Sequence, residues 1–99
     1  FVVLLAPVVK ADFTGTIGGG NNDWFDASLW TSGTVPTFTT EEWMLTADTE
    51  AVIDSQEATI NILVVGRRLA RNVNLAVRNN GSLKVGQTMF LGQYTNDGI

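Results

Sequence analysis

Three carboxylates lie close together along the chain, Asp48, Asp54 and Glu57. Paired acids serve glycoside hydrolysis, one as proton donor and one as base or nucleophile. Acidic residues at turns and strand ends are also ordinary solubilising positions, and that is the expected use here. A lyase acting on acidic polysaccharide would need Ca²⁺ and a basic proton acceptor, with Arg67, Arg68 or Lys84 standing beside Asp23 and Asp26. Nothing in the spacing fixes those groups together. The chain has no Cys and no His, which removes thiolate sites, cysteine nucleophiles, the commonest metal ligand and the commonest general base. Asn21, Asn22, Asp23 and Asp26 offer oxygens within a Gly-rich loop, so Ca²⁺ is the one cofactor to weigh. Their spacing matches neither the EF-hand nor the Gly-Gly-x-Gly-x-Asp repeat, and a plain turn is the expectation. Gly18-Gly19-Gly20 precedes no Lys-Ser or Lys-Thr pair and no helix, so it is not a phosphate loop. Neither catalysis nor a resident cofactor is expected.

Binding chemistry is better supplied. Trp24, Trp30 and Trp43 could form a carbohydrate-stacking platform, since pyranose faces pack well on aromatic planes. Three tryptophans in one small domain serve packing more often than display. Asn72, Asn74, Asn79 and Asn80 can hydrogen-bond along stacked turns as ladders. Charge is unevenly spread. Residues 12–57 hold nine acidic side chains (Asp12, Asp23, Asp26, Glu41, Glu42, Asp48, Glu50, Asp54, Glu57) and no basic one. Residues 58–99 hold Arg67, Arg68, Arg71, Arg78 and Lys84 against Asp97 alone; Lys10 brings the whole chain to −4. The two halves are expected to pack on each other electrostatically, and the acidic balance argues against a nucleic-acid partner.

The elements that must carry these residues are strands. Ninety-nine residues with 44% apolar and 16% charged side chains fit one folded domain. Residues 1–11 read as a partial signal peptide, an apolar run closing on Val9-Lys10-Ala11 with cleavage expected after Ala11. The run is too short to span a bilayer; a buried N-terminal strand is the alternative. Residues 12–57 read as an N-terminal cap with the first strands, the loop-rich stretch to Thr40 giving way to β-prone runs at Trp43–Thr46 and Ala51–Asp54. Residues 58–99 read as truncated repeats, short apolar runs each closed by Gly or Asn. Val73, Leu75 and Val77 alternate with Asn74 and Ala76, and Leu83 and Val85 flank Lys84, so one face of each strand is buried. The only helix candidate is a single turn over Arg67–Arg71.

Sliding the chain by 26 positions sets Leu63 on Met89, Val65 on Leu91, Gly66 on Gly92 and Val73 on Ile99; a slide of 20 sets Val65-Gly66 on Val85-Gly86. Recurrence at such periods predicts a coil whose turns hide each other's apolar faces. The expected fold is all-β, the start of a parallel β-solenoid (β-helix) with a Trp-rich cap, and an antiparallel β-sandwich is the alternative. Asn96-Asp97-Gly98 introduces a further strand, so a fragment of a longer protein is expected.

The block Trp24-Phe25-Asp26-Ala27-Ser28-Leu29-Trp30, then Ser32-Gly33, Val35-Pro36 and Ala51-Val52-Ile53, resembles the start of secreted bacterial repeat proteins, the autotransporter passenger domains and PEP-CTERM-type exported proteins. Residues 24–92 carry the resemblance. It implies a parallel β-solenoid, secreted or on the surface of a bacterium. The expectation for function is a non-catalytic structural or adhesive repeat protein that meets carbohydrate or other cell-surface material. A carbohydrate-binding module and the N-terminal part of a β-helical polysaccharide-degrading enzyme are the alternatives.

Overall fold

The computed structural model describes residues 9–44, 48–66 and 73–91. Six strands run in order: β1 (Val9–Asp12), β2 (Thr40–Met44), β3 (Thr49–Asp54), β4 (Glu57–Val65), β5 (Val73–Arg78) and β6 (Ser82–Leu91). Among the described residues there is no α-helix, only one 3₁₀ turn at Ala27–Leu29. The helical turn expected at Arg67–Arg71 lies outside the described residues.

The strands form two sheets, one ordered β1-β2-β4-β6 and one pairing β3 with β5. Every pairing between these strands is parallel, so the antiparallel sandwich is not the arrangement adopted. From β2 onward the chain alternates between the sheets. Parallel neighbours cannot be joined by a tight hairpin. Here each return is made by a strand of the other sheet.

Register is set by which side chains must leave water. In β3, Thr49, Ala51 and Ile53 are buried while Glu50, Val52 and Asp54 face outward, the period of two that a half-buried strand requires. In β4, Ala58 and Ile60 are buried, then a register shift between Ile60 and Ile62 changes the phase so that Leu63 and Val65 turn inward. Beyond that shift Leu63 lies opposite Met89 and Val65 opposite Leu91, the pairs that the 26-position slide sets together. The 20-position slide has no counterpart, because Val85 lies opposite Ile60 rather than Val65. Gly92 and Ile99 lie outside the described residues.

The corners stack as well. The β3–β4 corner passes through Ser55 at φ 63°, and the β5–β6 corner through Asn79 at φ 53° and Asn80 at φ 65°. Asn tolerates this left-handed region better than most residues. Ser55 N–H donates to the Arg78 carbonyl at 3.1 Å and Ser82 N–H to the Gln56 carbonyl at 3.0 Å, joining corner to corner. A Cβ on Gly81 would lie 2.9 Å from both the Arg78 and Ile53 carbonyl oxygens. Only glycine fits where the two corners touch.

One apolar cluster unites Ala11, Phe13, Trp24, Trp30, Ala51, Ile53, Ala58, Ile60, Leu63 and Val65. It draws on both the 12–57 and the 58–99 segments. Ala11 belongs to it and to β1, whose register against β2 runs from Val9–Thr40 to Asp12–Trp43. The peptide bond after Ala11, where leader cleavage is expected, therefore lies inside a paired strand. Within it, Ala11 is buried. The start of the expected leader, residues 1–8, lies outside the described residues.

Candidate functional site

The loop between β1 and β2 folds back along the edge of β3 that β5 leaves free. Glu50 N–H donates to the Gly15 carbonyl at 3.0 Å, Val52 N–H to the Asn22 carbonyl at 2.8 Å, and Trp24 N–H to the Val52 carbonyl at 2.9 Å. An open strand edge recruits other chains; this one is covered from within. Phe13, Trp24 and Trp30 supply the bulk that holds the loop down. Trp30 meets Phe13 and Trp24 edge to face, with ring centroids 4.8 Å apart in each case. Its Nε1–H donates to the Trp24 carbonyl at 2.7 Å.

That packing, the use these residue types favour, leaves no stacking platform at Trp24 and Trp30. Trp24 and Trp30 are buried, and a ring engaged with other rings has no face to offer a sugar. They serve the core. Trp43 lies in β2, its backbone between Asp12 and Val64; its side chain lies outside what the structure describes.

The Asn21–Asp26 loop is built from its own side chains. Asn21 Oδ1 accepts from Asp23 N–H at 3.2 Å and Asp23 Oδ1 from Phe25 N–H at 2.9 Å, the local turns that these residue types favour. Asp26 caps the 3₁₀ turn, with Oδ1 accepting from Ser28 N–H at 2.9 Å and Ser28 Oγ–H at 2.6 Å. Its other oxygen accepts from the Asn21 amide. The Ser28 hydroxyl, then the Ser28 N–H and the Asn21 amide, hold the Asp26 carboxyl below the ordinary value of 3.8. These oxygens are spent on the turn. Ca²⁺ takes about six to eight oxygens, and among the described residues no three or more His, Cys, Asp or Glu are grouped so that they could hold a metal ion. The donor set does not fit Ca²⁺.

Two of the carboxylates read from the sequence as a hydrolytic pair, Asp48 and Asp54, are not brought together. Asp48 and Asp54 stand at opposite ends of β3, about 20 Å apart at about 3.3 Å per residue, beyond the ~5–10 Å that glycoside hydrolysis uses. Asp54 accepts from Arg78 Nε–H at 3.1 Å, Asn79 Nδ2–H at 3.0 Å and Ser55 Oγ–H at 2.7 Å. Glu57 pairs with Lys84 at 3.2 Å. Lys84 thus stands on β6, in the other sheet from the β3 edge that Asp23 bridges at Val52; Arg67 and Arg68 lie outside the described residues. Glu50 accepts from Asn74 Nδ2–H at 3.4 Å, and Asn61 Nδ2–H donates to Gln87 Oε1 at 3.3 Å. Apart from that of the Ser55 hydroxyl, each contact joins one turn of chain to the next. Of the Asn ladder expected at 72, 74, 79 and 80, Asn72 lies outside the described residues, and Asn74 and Asn79 bond to carboxylates of β3. Arg78 and Lys84 both meet acids of the first half, the electrostatic packing that the charge asymmetry predicts.

What the structure does bring together is a groove of about 420 Å³ on the outer face of β3. Glu50, Val52 and Asp54 form its floor, the glycine-asparagine loop 19–23 one wall, and Gln56 with Arg78 the far end. Glu50 also takes the Asn22 amide N–H at 2.5 Å. Asn22 Oδ1 is buried and, among the described residues, unpartnered. Asn21, Asn22 and Asp23 belong to the Ca²⁺ reading; Glu50, Gln56 and Arg78 were not expected in any site. Alternation along Thr49–Asp54 puts Glu50 and Asp54 on one outward face, but the wall depends on a loop docking against a strand edge. No local pattern signals that.

Comparison with known proteins gives no match: no family model, curated protein or solved structure matches the chain. No helix among the described residues is long and apolar enough to cross a membrane.

Proposed function

We propose that this chain is a non-catalytic segment of a bacterial repeat protein that is secreted or displayed on the cell surface, with a structural and adhesive role. In this reading the turns continue as a parallel β-solenoid, and the Trp-bearing loop closes one end of the coil. The observation that supports it is the alternation of parallel strands between two sheets, each turn set on the last by in-register apolar pairs and by amide, carboxylate and cation contacts on the outside. A stack of that kind gains length by adding turns, since each turn contacts only its neighbours. The carboxylates of Asp26, Asp54 and Glu57, each held by its own partners, suit a surface better than a reaction.

Location on the cell is the test. Antibodies raised against the chain are applied to intact and to permeabilised cells of the source organism and to the culture medium, with a cytosolic marker alongside. Labelling of intact cells or recovery from the medium is expected. Signal that appears only after permeabilisation, together with the marker, would overturn the proposal.

A further inference from the structure

The groove beside β3 has a chemistry of its own, and we propose that it binds a short neutral oligosaccharide. The adhesive reading gives this a purpose; the site itself stands on its geometry. About 420 Å³ falls within the ~300–1,000 Å³ of small-molecule sites. From Glu50 to Asp54 the floor runs four residues, roughly 13 Å at ~3.3 Å per residue, which suits an elongated ligand.

The lining is almost wholly planar and polar. Gln56 has an amide for which no side-chain partner stands among the described residues. Arg78 commits Nε to Asp54 and keeps the outer edge of its guanidinium for a ligand. Asp23 commits only Oδ1 to the loop, and Oδ2 remains an acceptor. Donors at the far end therefore face acceptors along the wall. Vicinal sugar hydroxyls, each donor and acceptor at once, satisfy such a set, whereas an apolar ligand would leave it desolvated and unpaired. Val52 gives the floor one apolar spot for the C–H face of a ring. Gly20 leaves the lip open, since a Cβ there would meet nothing within 4 Å.

Charge narrows the class. Asp23, Glu50 and Asp54 stand against Arg78 alone, so a uronate or sulfated glycan is repelled. A polycation is weakly held too: Asp54 is paired with Arg78, and both Glu50 oxygens already take amide N–H groups.

The test uses the purified chain, ¹⁵N-labelled, titrated with oligosaccharides of β-glucan, α-glucan, mannan and galactan, with oligogalacturonate and spermidine as charged comparators. The expected result is amide shifts at residues 19–23, 50–56 and 78 with at least one neutral oligosaccharide, and none with oligogalacturonate. Gly20→Leu, whose Cβ enters open space, places its side chain at the lip and is expected to keep the wild-type melting temperature while weakening binding about tenfold or more. Gln56→Ala removes a donor that the fold does not use and is expected to weaken binding about fivefold, in line with ~1 kcal/mol for one hydrogen bond. Shifts with spermidine or oligogalacturonate alone, no shift with any neutral sugar, or undiminished binding by folded Gly20→Leu would each overturn the proposal. Because the assay uses isolated protein, its failure leaves the cell-surface reading untouched, and failure of the antibody test leaves the groove untouched.

Discussion

The turn formed by β3 and β4 and the turn formed by β5 and β6 carry similar residues in matched positions and differ in how much water reaches them. Ile53 is 0% exposed and its register partner Val77 46%; Leu63 is 0% and Met89 40%; Val64 is 1% and Phe90 37%. Hydrophobicity does not explain the difference, because every one of these residues is apolar. Position in the stack does. The middle turn has a neighbour on both sides, the loop or β2 on one and β5 or β6 on the other. The last turn has one, and β5 and β6 are the outer strands of their sheets among the described residues. Burial in such a molecule belongs to the stack more than to the strand.

The sharpest way to break that comparison is to strike the closed end and the open end with matched truncations. Trp30→Ala removes the ring between Phe13 and Trp24 and the donor to the Trp24 carbonyl, and is expected to cost about 3–5 kcal/mol, a large lowering of the urea midpoint in a domain whose whole stability is ~5–15 kcal/mol. Phe90→Ala at the open end is expected to cost under about 1 kcal/mol. Equal losses would mean that the loop is ornament rather than lid.

A second pair lies within one register. Leu63→Ala is expected to cost about 2–5 kcal/mol and Met89→Ala, directly opposite, under about 1.5 kcal/mol, since a half-exposed side chain leaves little cavity behind. Denaturant midpoints of the two variants read the difference. A costly Met89→Ala would show that β6 is covered in solution. Gly81 in its corner and Gly20 in the β1–β2 loop give a matched pair of glycine substitutions. Gly81→Ala drives a methyl into two backbone carbonyls and is expected to cost about 1–3 kcal/mol, while Gly20→Ala enters open space and is expected to stay within about 0.5 kcal/mol.

Much of this architecture is legible in the residues. Val73-Asn74-Leu75-Ala76-Val77 declares a strand by period, and the 26-position match foretells which residues of β4 and β6 face each other beyond the register shift at Ile60–Ile62. Turn chemistry marks the Asn79-Asn80-Gly81 corner. The charge split between the halves anticipates Arg78 on Asp54 and Lys84 on Glu57. Other features escape because they depend on docking between distant segments. Trp24 and Trp30 have the same composition and spacing whether they face sugar or core; only the hydrogen bonds from Glu50, Val52 and Trp24 that pin the loop to the β3 edge decide it. Asp26 reads equally well as a Ca²⁺ ligand or as a cap, and Ser28, two residues on, is what claims it. The groove is least visible of all, since Gln56 and Arg78 reach it from different turns.

The smallest expected effect is electrostatic and sits where the two turns meet. Asp54 is held below the ordinary carboxylate value of 3.8 by the Ser55 hydroxyl, then by the Asn79 amide and by Arg78. A carboxyl whose folded pKa is depressed favours folding above its unfolded value and loses that contribution as pH falls through the folded one. Wild-type protein should therefore lose stability more steeply below about pH 4 than Asp54→Asn, whose amide does not titrate. Melting temperatures measured from pH 7 down to pH 2.5 compare the two. At pH 7 the variant should be only slightly less stable, because Asp54 and Arg78 are open to solvent and exposed pairs contribute little. Raised salt should shrink that gap further. Parallel acid limbs would show that the Ser55, Asn79 and Arg78 contacts do not survive in solution, and with them would go the tie between the corners that lets one turn set the register of the next.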